Sequence, residues 1–231
     1  MKLSVVVPVF NESRTIENVL SKIARVQLPS GLGREIVVVD DCSTDGTGEI
    51  LERLQKLYPL MLIKHDRNYG KGRAIRTGLK ACRGDFAIIQ DADLEYDPNE
   101  YVKLIQPIIE RKTDVVYGSR YLGKSIKGII SINFFANRVL TFVSNFFTGL
   151  NLTDMETCYK VLSRKAIDKV APRLTSDRFD IEPEITAVIA RSGFKVIEVP
   201  ISYDPRTSRQ GKKIKWHDGF PALWAIVKFS A

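Results

Sequence analysis

Apolar residues along this chain fall in short unbroken runs, separated by stretches of helical period. Four runs stand out, 3–10 (LSVVVPVF), 35–41 (EIVVVDD), 86–93 (FAIIQDAD) and 114–120 (DVVYGSR), with a weaker one at 60–66 (LMLIKHD). They are rich in β-branched residues and near-continuous rather than alternating, the pattern of strands covered on both faces. Residues 14–26 set Ile16, Val19, Leu20 and Ile23 on one helical face, after Asn11 or Ser13 as cap. Residues 45–57 repeat this with Ile50, Leu51, Leu54 and Leu57 behind Ser43 or Thr44, and 71–82 and 99–111 make two more helices. The alternation predicts an α/β fold, a doubly wound, mainly parallel sheet with helices on both faces.

Such sheets bind ligands outside the carboxyl ends of their strands. A polar cluster follows every predicted strand: FNES, DDCSTDGT, DRNYGKG, DADLEYD and GSR. Polar strand ends are ordinary one at a time; five together point to a single site. The fourth cluster crowds Asp91, Asp93, Glu95 and Asp97 at alternate positions. Like charges raise each other's pKa, and residues i and i+2 of an extended chain point the same way. A hard divalent cation, Mg²⁺ or Mn²⁺, relieves that repulsion and commonly brings substrate phosphates with it. A solvated turn, with Asp97 or Asn99 capping the next helix, fits the same residues.

The net charge of +8 calls for an anionic partner: nucleic acid, a phosphorylated ligand or an anionic membrane. Three cysteines without a CxxC pair and only two histidines argue against a disulfide framework or a zinc site, and for a reducing compartment. The N-terminal apolar run is too short for a signal peptide, and no stretch reaches the ~20 apolar residues that span a bilayer.

No acidic residue occurs from Val115 to Thr153. Within that stretch Ile132, Phe135, Val139, Phe142, Val143 and Phe146 recur at helical spacing, with Asn133, Asn137, Thr141, Ser144 and Thr148 opposite. The pattern fits a helix packed on the sheet by its apolar face, or one lying in a membrane interface. Residues 205–217 carry five basic side chains and no acid, followed by the apolar GFPALWAIVKF. Both features suit an anionic lipid surface.

Taken in order, VVVPVFNE, VVVDDCSTDGT, NYGKGRAIRTG and DADLEYDP resemble the family-2 glycosyltransferases. DVVYGSRYL, TDMETCYKVLSR and the segment from DRFDIEPE to FPALWAI extend the resemblance to the dolichyl- or polyprenyl-phosphate hexosyltransferase branch, over essentially the whole chain. The resemblance implies a GT-A catalytic domain over 1–204, with an interfacial amphipathic segment at about 126–148 forming a peripheral helical region. A basic loop and C-terminal amphipathic helix then occupy 205–231.

It also implies roles for individual residues. Pro8, Val9 and Glu12 match the loop contacting base and ribose, and Asp40 the carboxylate reading them, although a helix-capping Asp fits there too. Asn68, Gly70 and Lys71 match the loop near the nucleotide phosphates; a plain turn opening a helix fits the glycines equally. Asp91, Ala92 and Asp93 match the metal-binding DxD, with Glu95 as a third oxygen ligand where relatives often carry Gln. Arg120 is the first choice for the acceptor phosphate, then Arg138, with Lys127, Asn137 and Lys213 behind; a surface Arg closing the strand is the plainer reading of Arg120. Asp154 matches an acid near the sugar and is not assigned as a base.

The implied reaction is inverting, metal-dependent transfer of one hexose from a nucleotide sugar, GDP-mannose or UDP-glucose, to polyprenyl or dolichyl phosphate. It takes place at the cytoplasmic membrane face, with the protein peripheral, monotopic or held by a membrane-protein partner. The QxxRW motif of processive synthases is absent, which favours a single transfer. A hydroxyl acceptor on a glycan or protein is the main alternative, and it requires a general base. A sugar-1-phosphate nucleotidyltransferase needs a Gly-rich basic loop where PVFNES stands. A nucleic-acid-binding module is suggested by charge alone, without stacking aromatics on a sheet, so no nucleic acid is expected as partner.

Overall fold

The computed structural model describes residues 1–122, 132–206 and 219–230. The predicted strands are present as β1 (Lys2–Val9), β2 (Gly33–Asp40), β3 (Leu60–Lys64), β4 (Phe86–Ile89) and β5 (Val115–Ser119). Interleaved are α1 (Ile16–Arg25), α2 (Thr47–Gln55), α3 (Lys71–Ala81) and α4 (Tyr101–Ile109). Then come α5 (Ile132–Thr148), β6 (Lys160–Ser163), α6 (Arg164–Val170), α7 (Ile181–Arg191), β7 (Val196–Pro200) and α8 (Gly219–Ser230). The sheet order is β3-β2-β1-β4-β6-β5-β7, parallel except for β6, which runs antiparallel to β4 and β5. This is the GT-A-like α/β architecture that the sequence predicts.

Burial on both faces explains the continuous runs. Seven of the eight β1 residues are buried, and β4 and β5 are buried throughout. In α1 the predicted stripe, Ile16, Val19, Leu20 and Ile23, is the buried face. In α2 only part of the predicted stripe is core: Leu51 and Leu54 are buried, while Leu57 is exposed.

The predicted caps do other work. Thr15 and Gly46 hold the N-cap positions of α1 and α2. Asn11 instead accepts a hydrogen bond from the Thr44 amide at 2.8 Å, and the Asn11 amide donates to Ser43 Oγ at 2.9 Å. These bonds stitch the loop after β1 to the loop after β2. Asp97 does cap the short turn before α4, accepting from the Asn99 amide.

The α5 helix corrects the expectation of a helix packed by its apolar face. Its polar side points inward, with Thr141 and Ser144 buried and Thr141 Oγ1 accepting from the Met155 amide at 3.1 Å. Leu140 is the apolar residue it buries. Most of the predicted apolar stripe faces out, with Phe135 70% exposed, Phe142 73% and Phe146 79%, while Val143 packs partly buried against the core. Helix α8 packs against α5 and α7 through Ala222, Ala225 and Ile226 and leaves Trp224 69% exposed. Among the described residues no helix is long and apolar enough to cross a membrane.

Candidate active site

The order β2-β1-β4 marks the point where the direction of winding reverses, the usual ligand crevice of such sheets. A cavity of about 490 Å³ opens there. All five predicted strand-end clusters contribute to its lining: Glu12 after β1, Asp41 after β2, Lys71 after β3, Asp91 and Asp93 after β4, and Arg120 after β5. Three of the four non-glycine residues with positive φ among the described residues, Asn11, Cys42 and Leu94, sit at these strand ends. Such backbone strain is typical of functional loops.

Pro8, Val9, Glu12, Asn68, Gly70, Ala92, Glu95 and Asn137 also line the cavity. Asp40 does not. Its Oδ1 accepts from the Ser43 amide and its Oδ2 faces Gly48 of α2. Its neighbour Asp41 faces the cleft, where its carboxylate accepts from the amides of Tyr69 (3.0 Å) and Gly70 (2.7 Å) and pairs with His65 (2.6 Å). Asp41 therefore latches the loop after β3 in place. Gly70 (φ 111°) and Gly72 are required by packing: an added Cβ would lie 2.4 Å from Asp177 O and 2.5 Å from Ser176 O.

Counter-charges stand against the DxD pair. Lys71 Nζ lies 2.9 Å from Asp91 and 3.1 Å from Glu182, and Glu182 also pairs with the buried Lys160 at 2.5 Å. Burial pushes the Lys71 ammonium down, but Asp91 and Glu182 outweigh it and hold it well above the ordinary lysine value. Arg206, following β7, contacts Glu12 at 3.0 Å and Asp93 at 3.1 Å. Glu95 is turned to other work, accepting from Tyr203 Oη and the Arg206 amide, both at 2.7 Å. Expected as a third metal ligand, this carboxylate anchors the 203–206 strap. Among the described residues no group of three acidic, His or Cys side chains is arranged to hold a metal. Two carboxylates, each facing a cation, remain a fitting all-oxygen set for a hard cation whose other ligands are phosphates and water.

On the opposite wall Arg120 is clamped by Asp154, with Nε at 2.7 Å, Nη2 at 2.8 Å and its own amide at 3.0 Å. The Asp154 side chain is fully buried and lies behind Arg120, outside the cavity lining. Asn137 donates to Tyr121 Oη at 3.3 Å. Arg138 is exposed and does not line the cavity. Lys127 and Lys213 lie outside the described residues.

The cavity also takes in Glu156, Arg178, Phe179, Glu182, Tyr203 and Arg206, none of them singled out from the sequence. Only Arg206 carried a signal there, as the first basic residue of the acid-free tract 205–217.

The mainly parallel sheet with an acidic, cation-matched cleft across its winding reversal is of the GT-A type. The chain belongs to glycosyl transferase family 2, whose sequence profile matches residues 4–171. It is 32% identical to a dolichol-phosphate mannosyltransferase of Pyrococcus furiosus, over 92% of this chain and 59% of that protein. It thus spans little more than half of that relative. It is 28% identical to a UDP-N-acetylglucosamine–dolichyl-phosphate N-acetylglucosaminyltransferase of Methanococcus voltae, over 85% of this chain and 83% of that protein. Among solved structures, glucosyl-3-phosphoglycerate synthase from Mycobacterium tuberculosis in complex with UDP superposes with a TM-score of 0.74 at 20% identity, over 99% of this chain and 80% of that one. The same enzyme has been solved with Mn²⁺ or Mg²⁺ and UDP. At such identity the likeness bears on fold.

Proposed function

We propose that this glycosyltransferase moves one hexose from a nucleotide sugar, GDP-mannose or UDP-glucose, to a polyprenyl or dolichyl phosphate at the cytoplasmic face of a membrane, with inversion. One observation carries the lipid half of this reading. The face of α5 bearing Ala136, Asn137 and Leu140 lines the cleft, while the phenylalanine stripe on its other side meets solvent. A helix of that kind seats its aromatic face in the headgroup region and keeps the cleft beside it. The dolichyl-phosphate relatives supply the acceptor class by analogy.

The residues divide the work. The donor diphosphate lies by the N-terminus of α3, where the positive end of the helix dipole and Lys71 favour anions. Asp91 and Asp93 would hold Mg²⁺ or Mn²⁺, which would supply positive charge to a leaving diphosphate. Arg120, oriented by Asp154, holds the acceptor phosphate. A phosphomonoester has a second pKa of about 6 and is already largely dianionic at pH 7, so it needs positioning rather than a base. Asp154 spends its oxygens on Arg120, which disfavours it as the base a hydroxyl acceptor demands.

The test is transfer of radiolabelled sugar to short-chain polyprenyl phosphate, offering GDP-mannose, UDP-glucose and UDP-GlcNAc in parallel with Mg²⁺ or Mn²⁺ and an EDTA control. Metal-dependent label in the lipid fraction from one donor is the expected result. Label confined to a glycan or protein acceptor would overturn the lipid-phosphate reading.

A further inference from the structure

Seven carboxylates line the cavity: Glu12, Asp41, Asp91, Asp93, Glu95, Glu156 and Glu182. Six are occupied. Glu12 and Asp93 face Arg206, Asp41 takes two amides and His65, Asp91 and Glu182 share Lys71, and Glu95 holds the 203–206 strap. Glu156 is different: among the described residues it has no ion pair and its buried Oε1 accepts no hydrogen bond, whereas Glu182 Oε1, also without a hydrogen bond, lies 3.1 Å from Lys71 Nζ. Buried polar atoms are nearly always satisfied, so an orphan at a cavity wall calls for a ligand group.

Its surroundings define that group. The charges acting on Glu156 are Glu182 and Lys160 on the Lys71 side of the cleft, and Arg120 and Asp154 on the other. Burial and Glu182 push its carboxyl up to about 7 against the pull of Lys160 and Arg120. Lys160 and Arg120 are already paired with Glu182 and Asp154, so the site offers an anion no net positive charge, and a metal ion lacks a second free carboxylate. A neutral hydrogen-bond donor fits. Between a diphosphate at Lys71 and a phosphate at Arg120, the neutral donor-bearing group is the hexose.

We infer that Glu156 reads the transferred sugar, accepting a hydrogen bond from one of its ring hydroxyls. The inference deepens the nucleotide-sugar reading above and rests on it. Glu156 is then a specificity residue for the sugar and makes no contact with the nucleotide.

The experiment is calorimetric binding of GDP-mannose, UDP-glucose and UDP-GlcNAc, and of GDP and UDP, to the full chain with Mg²⁺, comparing wild type, Glu156→Ala and Glu156→Gln. For the donor that wild type prefers, the ratio of donor to bare-nucleotide affinity falls about 30-fold in Glu156→Ala, the cost of a hydrogen bond to a charged or buried acceptor. It is largely restored in Glu156→Gln, whose amide oxygen still accepts, while GDP and UDP bind as before. An unchanged ratio in Glu156→Ala, or equal loss of bare nucleotide, overturns the assignment. Failure of every nucleotide sugar to bind wild type would overturn the donor reading itself and Glu156's role with it. The acceptor does not enter the measurement, so failure of the lipid-phosphate reading leaves this result standing.

Discussion

Replacing Asp154 by Ala removes three hydrogen bonds from Arg120 and leaves a guanidinium whose side chain is 10% exposed without its counter-charge. Breaking one side of a buried ion pair costs about 3–5 kcal/mol, most of it the penalty for the stranded charge. In a domain of this size each kcal/mol moves the thermal midpoint by about 2–4 °C, so Asp154→Ala unfolds roughly 10 °C below wild type. Replacing both partners, as Arg120→Met with Asp154→Ala, strands no charge. It lowers the midpoint by less than the sum of the single changes, giving a coupling of about 2 kcal/mol or more in a double-mutant cycle. Thermal unfolding followed by circular dichroism reads all three variants without substrate. A loss under about 1 kcal/mol for Asp154→Ala, or simple additivity, would refute the view of a desolvated clamp holding Arg120 at the cleft wall.

Three further outcomes are expected. Glu156 holds a proton in the folded protein that the unfolded chain releases between about pH 4.5 and 7, so its contribution falls as pH rises through that window. Glu156→Gln therefore gains on wild type between pH 5 and 8, by at most about 3 kcal/mol, and equal pH dependence in the two proteins would disprove the raised carboxyl. Gly72→Ala drives a Cβ to 2.5 Å from Ser176 O and 2.8 Å from Arg178 O, both backbone, and costs about 1–3 kcal/mol in urea unfolding; a neutral change would show that the 176–178 loop is not packed there. Phe142→Glu, at an exposed position, leaves the thermal midpoint within a degree or two of wild type and abolishes sedimentation with anionic liposomes, and retained liposome binding would remove α5 from the membrane contact.

Strands β1 to β5 were legible from their unbroken β-branched runs, which in β1, β4 and β5 reflect burial on both faces. β6 was not, since its four residues, KVLS, carry Lys160 and Ser163 and are buried by neighbours distant in sequence. Periodicity located the stripe on α5 but could not say which way it turned; that was decided by tertiary partners such as the Met155 amide on Thr141. Adjacent acids are likewise equivalent in a sequence, and only the sheet's pleat sends Asp40 toward α2 and Asp41 into the cleft. Glu156, Glu182 and Arg206 reach the cavity from positions far beyond the DxD pair in sequence, and only Arg206 lies in a tract, the acid-free 205–217, that the sequence marks.

The cleft carries more acid than the chain's net charge of +8 suggests, and each acid but Glu156 is matched within the protein. Lys71 and Arg206 are therefore not spare cations waiting for phosphate; they are committed to Asp91 and Asp93. On the proposed reading, a divalent ion at Asp91 and Asp93 would free Lys71 and Arg206 for the donor diphosphate, so that metal and nucleotide would favour one another's binding. Arg120 stays out of this exchange because Asp154 holds it by a rigid two-point fork. On the proposed reading, an acceptor phosphate would meet a fixed cation and the donor mobile ones, which would separate two anionic substrates in a cavity of about 490 Å³.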